Sequence, residues 1–194
     1  MSEFCLIISG APECYFPVSF TKADFVIACD AGYIHAQRAD IVPDVIIGDF
    51  DSYLGDLPGG VEIIRTKPEK DDTDMLAALK YGLELGYRDF RIYAGTGGRF
   101  DHTLANIQCL LYLKNHDATG YLVDGTGMIL VLQNEAVHFQ KSLEGYLSLF
   151  SLGREAKGVS IQGMKYNLKD YTMSNDFPIG ISNEFIGEEA VISV

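Results

Sequence analysis

The sequence predicts an α/β domain on a doubly wound, mostly parallel sheet over residues 1–124, followed by a smaller all-β domain over residues 125–194. Two observations lead there. Up to about Val123, short apolar runs alternate with segments of helical period, and alternating strands and helices make an α/β layer fold. After Asp124-Gly125-Thr126-Gly127 the pattern changes to strand-like runs separated by turn residues, with no convincing helix.

In the first domain Cys5–Ser9, Phe25–Cys29, Val45–Gly48, Val61–Arg65, Phe90–Ala94 and Gly120–Val123 read as strands. One helix follows Asp72-Thr73, either of which can cap its first turn. Leu76, Leu79 and Leu83 fall on one face, and Gly86 stops it. A second helix starts near Asp101, turns Leu104, Ile107 and Leu111 inward, and ends around Asn115. In the second domain Met128–Leu132, Tyr146–Leu152, Gly158–Gln162 and Ala190–Val194 read as strands.

Composition narrows the function. With 47% hydrophobic and 22% charged residues among 194, the chain is neither disordered nor fibrous. No apolar run approaches the roughly 20 residues of a membrane helix and no basic leader opens the sequence, so a cytoplasmic location is expected. Cys5, Cys14, Cys29 and Cys109 lack zinc-like or CxxC spacing and read as buried thiols. The formal net charge of -12 repels a phosphate backbone and argues against nucleic acid; metal ions or a cationic ligand suit it better.

Four motifs carry chemistry. In Gly48-Asp49-Phe50-Asp51-Ser52 two aspartates stand where an apolar strand ends, the edge at which open α/β sheets bind ligands. Magnesium takes a few carboxylates, waters and phosphate oxygens, so Asp49 and Asp51 suit a Mg-nucleotide; a polar turn is the alternative. Lys67-Pro68-Glu69-Lys70-Asp71-Asp72-Thr73-Asp74 crowds three aspartates at a helix start. Capping needs only one, and the excess favours a metal or Mg-phosphate site, with Lys67 or Lys70 as the other possible counter-charge. Gly95-Thr96-Gly97-Gly98-Arg99-Phe100-Asp101-His102 joins a strand to a helix, and its glycines let backbone N–H groups approach phosphate. It is neither a Walker loop nor a dinucleotide fingerprint. Arg99 can clamp a phosphate and Asp101 can bind metal or orient a hydroxyl, or the two can simply pair with each other. Cys29-Asp30-Ala31-Gly32 repeats the theme of an acidic residue at a strand end; there, helix capping is the simpler reading. The histidines form no catalytic constellation.

In order and spacing these four motifs resemble the thiamin pyrophosphokinase family, strongly over about residues 25 to 115. Gly163-Met164-Lys165-Tyr166 and Gly180-Ile181-Ser182-Asn183-Glu184-Phe185 look like its β-domain; relatives continue past the strand matching Ala190–Val194, where this sequence stops. The resemblance implies an ATP-binding α/β domain and a β-sandwich, in a homodimer whose thiamin pocket lies between the catalytic domain of one subunit and the β-domain of the other. It implies transfer of diphosphate from ATP, the co-substrate, to thiamin with Mg²⁺. Asp49, Asp51 and Asp74 would bind the metal. Asp30, Asp71, Thr73, Gly97 and Gly98 would line the nucleotide, Arg99 and Asp101 the reaction centre with Asp74, and Ser182 with Asn183 would lie by thiamin. Aspartates at strand ends also serve a Mg-dependent phosphohydrolase, and a nucleotide-sensing module without catalysis is the non-enzymatic alternative.

Overall fold

A computed structural model of the chain describes residues 3–16, 23–50, 58–66 and 72–194. It divides into two compact units, Met1–Val131 and Leu132–Val194.

Among the described residues, the first unit has strands β1 (Cys5–Ile8), β2 (Phe25–Cys29), β3 (Val45–Gly48), β4 (Glu62–Arg65), β5 (Asp89–Tyr93), β6 (Thr119–Val123) and β7 (Met128–Leu130). They form one sheet in the order β4-β3-β2-β1-β5-β6-β7, parallel from β4 to β6, with β7 antiparallel to β6. Chain order runs outward from β1 to β4 and resumes on the other side of β1 with β5. In open α/β sheets ligands bind at such a reversal, outside the carboxyl ends of the strands, here those of β1 and β5.

Near-continuous apolar runs suit a sheet covered on both faces. Cys5, Ile7, Ile27, Cys29, Val45 and Ile47 share one core with Leu79 of α2 (Asp74–Glu84) and Leu110 and Leu113 of α3 (Phe100–Lys114). The alternate residues Leu6, Ile8, Val26, Ala28 and Ile46 share another with Tyr33 and Ala36 of α1 (Gly32–Arg38). Helices on both faces make the sheet doubly wound.

Of the two capping candidates for α2, Thr73 is the cap: its Oγ1 accepts from Leu76 N at 3.2 Å, while Asp72 pairs with Lys80 at 2.6 Å. The inward stripe expected on α3 holds at Ile107 and Leu111, which pack on the core, and fails at Leu104, which is exposed; Asn106, Cys109, Leu110 and Leu113 are buried more deeply. Gly120 of β6 is the reason: a Cβ there would lie 2.5 Å from Leu113 and 2.8 Å from Leu110, so the bare backbone draws those two leucines onto the sheet.

In the second unit β8 (Ala136–Phe139), β10 (Glu155–Gln162), β11 (Leu168–Ser174) and β13 (Ala190–Ser193) form an antiparallel sheet in the order β11-β10-β13-β8. β9 (Tyr146–Leu147) and β12 (Asn183–Glu184) form a second, two-stranded one. Ile161, Met164, Ala190 and Ile192 make the core, with Phe139 of the larger sheet and Leu147 and nearby Phe185 of the smaller packed on it.

The strand expected over Met128–Leu132 divides: Met128–Leu130 is β7 of the first unit's sheet, and Leu132 opens the second unit. Asp124 N donates to Gly127 O at 3.1 Å, and this tight turn folds β7 back onto β6. The division between the compact units thus falls after Val131 rather than after residue 124.

Candidate active site

Three non-glycine residues lie in the left-handed backbone region where parallel strands end. Asp30 (φ 45°) follows β2, Phe50 (φ 62°) stands two residues beyond β3, and Ala94 (φ 52°) follows β5. The left-handed region costs an L-residue about 1–2 kcal/mol, and such strain collects at functional sites. The strand ends are also closely packed. A Cβ on Gly32 would lie 2.1 Å from Ile8 O, and one on Gly48 would lie 3.0 Å from Asp30 Cβ. Asp30 therefore sits beside the end of β3, with its N–H donated to Ile47 O at 2.9 Å. The N-cap position of α1 falls on Ala31, whose side chain makes no cap bond.

Asp49 comes directly after Gly48, at the end of β3. Thr66, just past β4, ties this edge to α2: its N–H donates to Gly48 O at 3.0 Å and its hydroxyl to Asp74 Oδ1 at 3.2 Å. Cys29 Sγ, at the end of β2, lies 3.8 Å from Asp74 O. Asp74 is thus held to the ends of β2 and β4 at the first turn of α2, one residue after the cap Thr73. Sequence reading missed Thr66, since a threonine after a strand carries no distinctive signal. Asp51 and Asp71, with Ser52, Lys67 and Lys70, lie outside the described residues. Among the described residues no three His, Cys, Asp or Glu side chains gather as a metal cage.

The glycine loop after β5 bends through Gly97 (φ 84°) and Gly98 (φ 62°). A Cβ on Gly98 would lie 2.7 Å from Pro12 Cδ, so the loop rests on the segment leaving β1, at the point where strand order reverses. Arg99 and Asp101 grip each other through two bonds, Nη2 to Oδ2 at 2.6 Å and Nε to Oδ1 at 3.2 Å. Both are well exposed, at 72% and 65%. The hydrogen bond and charge of Asp101 raise Arg99 above its ordinary pKa; the same bond with Arg99 holds Asp101 below the usual carboxylate range. Local pairing, one of the two uses expected for these residues, is present.

In the second unit Ser182 is exposed, adopts φ 56°, and donates its N–H to Ser148 Oγ at 3.0 Å. Asn183 is buried. Its Oδ1 accepts from Tyr166 N and Glu184 N, both at 3.0 Å, and its Nδ2 donates to Tyr166 O at 2.7 Å, so its amide fastens the turn at Tyr166. A cleft of about 450 Å³ beside it is lined by Leu143, Glu144, Tyr146, Glu184 and Phe185.

The cysteine expectation holds for Cys5, Cys29 and Cys109, which are buried unbridged thiols; Cys14 is unbridged but only partly buried. Burial, reinforced by Asp44, pushes Cys5 up to about 12; burial, reinforced by Asp72, raises Cys109 to about 11. Neither is a thiolate nucleophile at neutral pH. No helix among the described residues is long and apolar enough to cross a membrane.

Comparison with known proteins adds the family. The model of the thiamin pyrophosphokinase catalytic domain matches residues 16–122, and that of the thiamin pyrophosphokinase vitamin B1 binding domain matches residues 134–194. The thiamine pyrophosphokinase of Bacillus subtilis (strain 168) is 28% identical, over 96% of this chain and 92% of its own. A crystal structure of thiamine pyrophosphokinase from Bacillus subtilis matches the fold with a TM-score of 0.87 at 25% identity, covering 98% of this chain and 94% of that one. The thiamin pyrophosphokinase of Geobacillus thermodenitrificans gives 0.82 at 26% identity, over 98% and 92%. The catalytic-domain match alone spans more than half of the 194 residues and contains all four motifs. The chain belongs to the thiamin pyrophosphokinase family.

Proposed function

We propose that the protein transfers an intact diphosphate from ATP to the hydroxyl of thiamin, releasing thiamin diphosphate and AMP. The observation that carries this reading is the pair of matches, a catalytic domain over the strand-end motifs and a vitamin B1 binding domain over the second unit.

In this reading the thiamin hydroxyl oxygen bonds to the β-phosphorus of ATP in line with the bond that breaks. The electron pair of that bond leaves on the α-phosphate oxygen of AMP, and the hydroxyl proton passes to Asp101 or to solvent. Arg99 exchanges the Asp101 carboxylate for phosphate oxygens, to which its planar fork is equally matched. Gly97 and Gly98 bring backbone N–H groups to the phosphates, while Asp30, Asp71 and Thr73 border the nucleotide. Positioning and electrostatics supply most of the acceleration in such transfers.

Asp49, Asp51 and Asp74 would hold Mg²⁺. The fit rests on donor chemistry: Asp49, directly after β3, and Asp74, whose carboxylate Thr66 already orients, supply the hard oxygens that Mg²⁺ prefers. When bound, the ion offsets the negative charge of the transferring phosphates. In the second unit Ser182 borders thiamin, and the bonds of Asn183 give it the task of shaping that wall. Exposed Tyr146, Phe150, Phe177 and Ile181 support a second copy covering this unit, giving a homodimer. We place the protein in the cytoplasm, with no nucleic-acid or membrane partner.

The test is the thiamin dependence of ATP turnover with Mg²⁺. Turnover that requires thiamin is the expected result. An equal rate without thiamin would indicate a phosphohydrolase, and binding of Mg-ATP with no turnover would indicate a sensing module.

A further inference from the structure

The glycine loop is held from two sides by residues outside the four motifs. From α3, buried Asn106 donates its Nδ2 to Gly95 O at 2.8 Å. From the end of β6, Asp124 Oδ2 accepts from Thr96 Oγ1 at 2.8 Å. The other carboxylate oxygen, Oδ1, accepts from Thr126 N and Thr126 Oγ1, both at 2.7 Å, and from Gly127 N at 3.0 Å. Burial pushes Asp124 up, but the bonds from Thr126, Thr96 and Gly127 outweigh it and hold the carboxyl below its ordinary range. It is an ionised acceptor, anchored by the turn between β6 and β7.

A loop of this composition needs such anchors. Gly97 and Gly98 have many conformations open to them, and Ala94 is held in one that alanine disfavours. If the loop ordered only on meeting phosphate, binding would carry that entropic cost; a loop ordered beforehand does not. Packing contributes as well, since a Cβ on Gly95 would lie 2.5 Å from Leu122 Cδ2. A carboxylate near a phosphate site is adverse unless donors spread its charge, and Asp124 has four.

We infer that Asp124 and Asn106 are positioning residues of the nucleotide site, acting through Thr96 and Gly95 to keep the loop in its phosphate-receiving form. The inference rests on the proposed contact of Gly97 and Gly98 with the nucleotide. Its signature is selective: nucleotide affinity depends on the brace, whereas the KM for thiamin does not.

The experiment is calorimetric titration of the intact protein with a non-hydrolysable ATP analogue and Mg²⁺, alongside the KM for thiamin and the melting temperature. Thr96→Val keeps the side chain's shape and removes the hydroxyl. It should weaken the analogue by about tenfold, the scale of a hydrogen bond to a charged group. Thr96→Ser should restore affinity to within about twofold, and Asp124→Asn should weaken it. Unchanged affinity in Thr96→Val overturns the inference, as does a loss matched by equal losses in thiamin KM and melting temperature. Gly98→Ala, which puts a Cβ against Pro12, separates the two levels. If it weakens the analogue while Thr96→Val does not, the brace alone is wrong; if it too binds normally, the nucleotide reading of the loop falls.

Discussion

Arg99 and Asp101 illustrate how one contact serves two readings. Their bidentate geometry is what a local pair requires, and also what a phosphate-gripping fork requires once its partner is exchanged. Exposure separates the two, because a pair this exposed contributes little to stability. Arg99→Ala should therefore leave the melting temperature nearly unchanged and lower kcat by about two orders of magnitude. Arg99→Lys should recover only part, since it keeps the charge and loses the fork. Parallel losses of stability and rate in Arg99→Ala, Arg99→Lys and Asp101→Asn would make the pair structural. Asp49→Asn and Asp51→Asn should each cut turnover severely with the fold intact, as judged by circular dichroism and thermal melting; near-normal rates for both at saturating Mg²⁺ would refute their assignment as ligands. The placement of Asp30, Asp49 and Asp74 at element ends was legible in the sequence because each is an acidic residue at the edge of an apolar or helical run. Thr66, Thr96 and Asn106 were not, because each acts on a partner 8, 28 or 11 residues away.

At the scale of elements, Thr66 links the end of β4 to the first turn of α2, and through Gly48 to the end of β3. Removing its hydroxyl should loosen Asp74 without unfolding the helix, which keeps its Thr73 cap. For Thr66→Val we expect the half-saturating Mg²⁺ concentration to rise several-fold, about the effect of one lost hydrogen bond, with Thr66→Ser close to normal. An unchanged Mg²⁺ requirement would leave Thr66 no part in placing Asp74. The strands of the first sheet were legible because a parallel sheet buried on both faces writes itself as apolar runs. The inward side of α3 was legible at Ile107 and Leu111, but its deepest contacts were not: Leu110 and Leu113 depend on Gly120 in a neighbouring strand, a packing partner that helical period does not register. β7 was assigned to the wrong sheet because an apolar run does not reveal its partner, and the turn from Asp124 to Gly127 decides it.

Across the whole chain, a formal net charge of -12 is adverse for ATP, which makes a divalent cation and Arg99 the natural means of offsetting nucleotide charge. The second unit was hardest to read from periodicity, since β8 pairs with β13 from the far end of the unit, Ala136 opposite Ser193. β10 and β11 pair as sequence neighbours, but β8 finds its partner only at the far end of the unit, a pairing that local pattern does not register. The central chemical point is that a diphosphate moves as a unit. It is tested most directly by quantifying every product of a single reaction with ATP, Mg²⁺ and thiamin. Thiamin diphosphate and AMP should accumulate in equal amounts throughout the time course; ADP accompanied by thiamin monophosphate would mean that a single phosphoryl group moves instead.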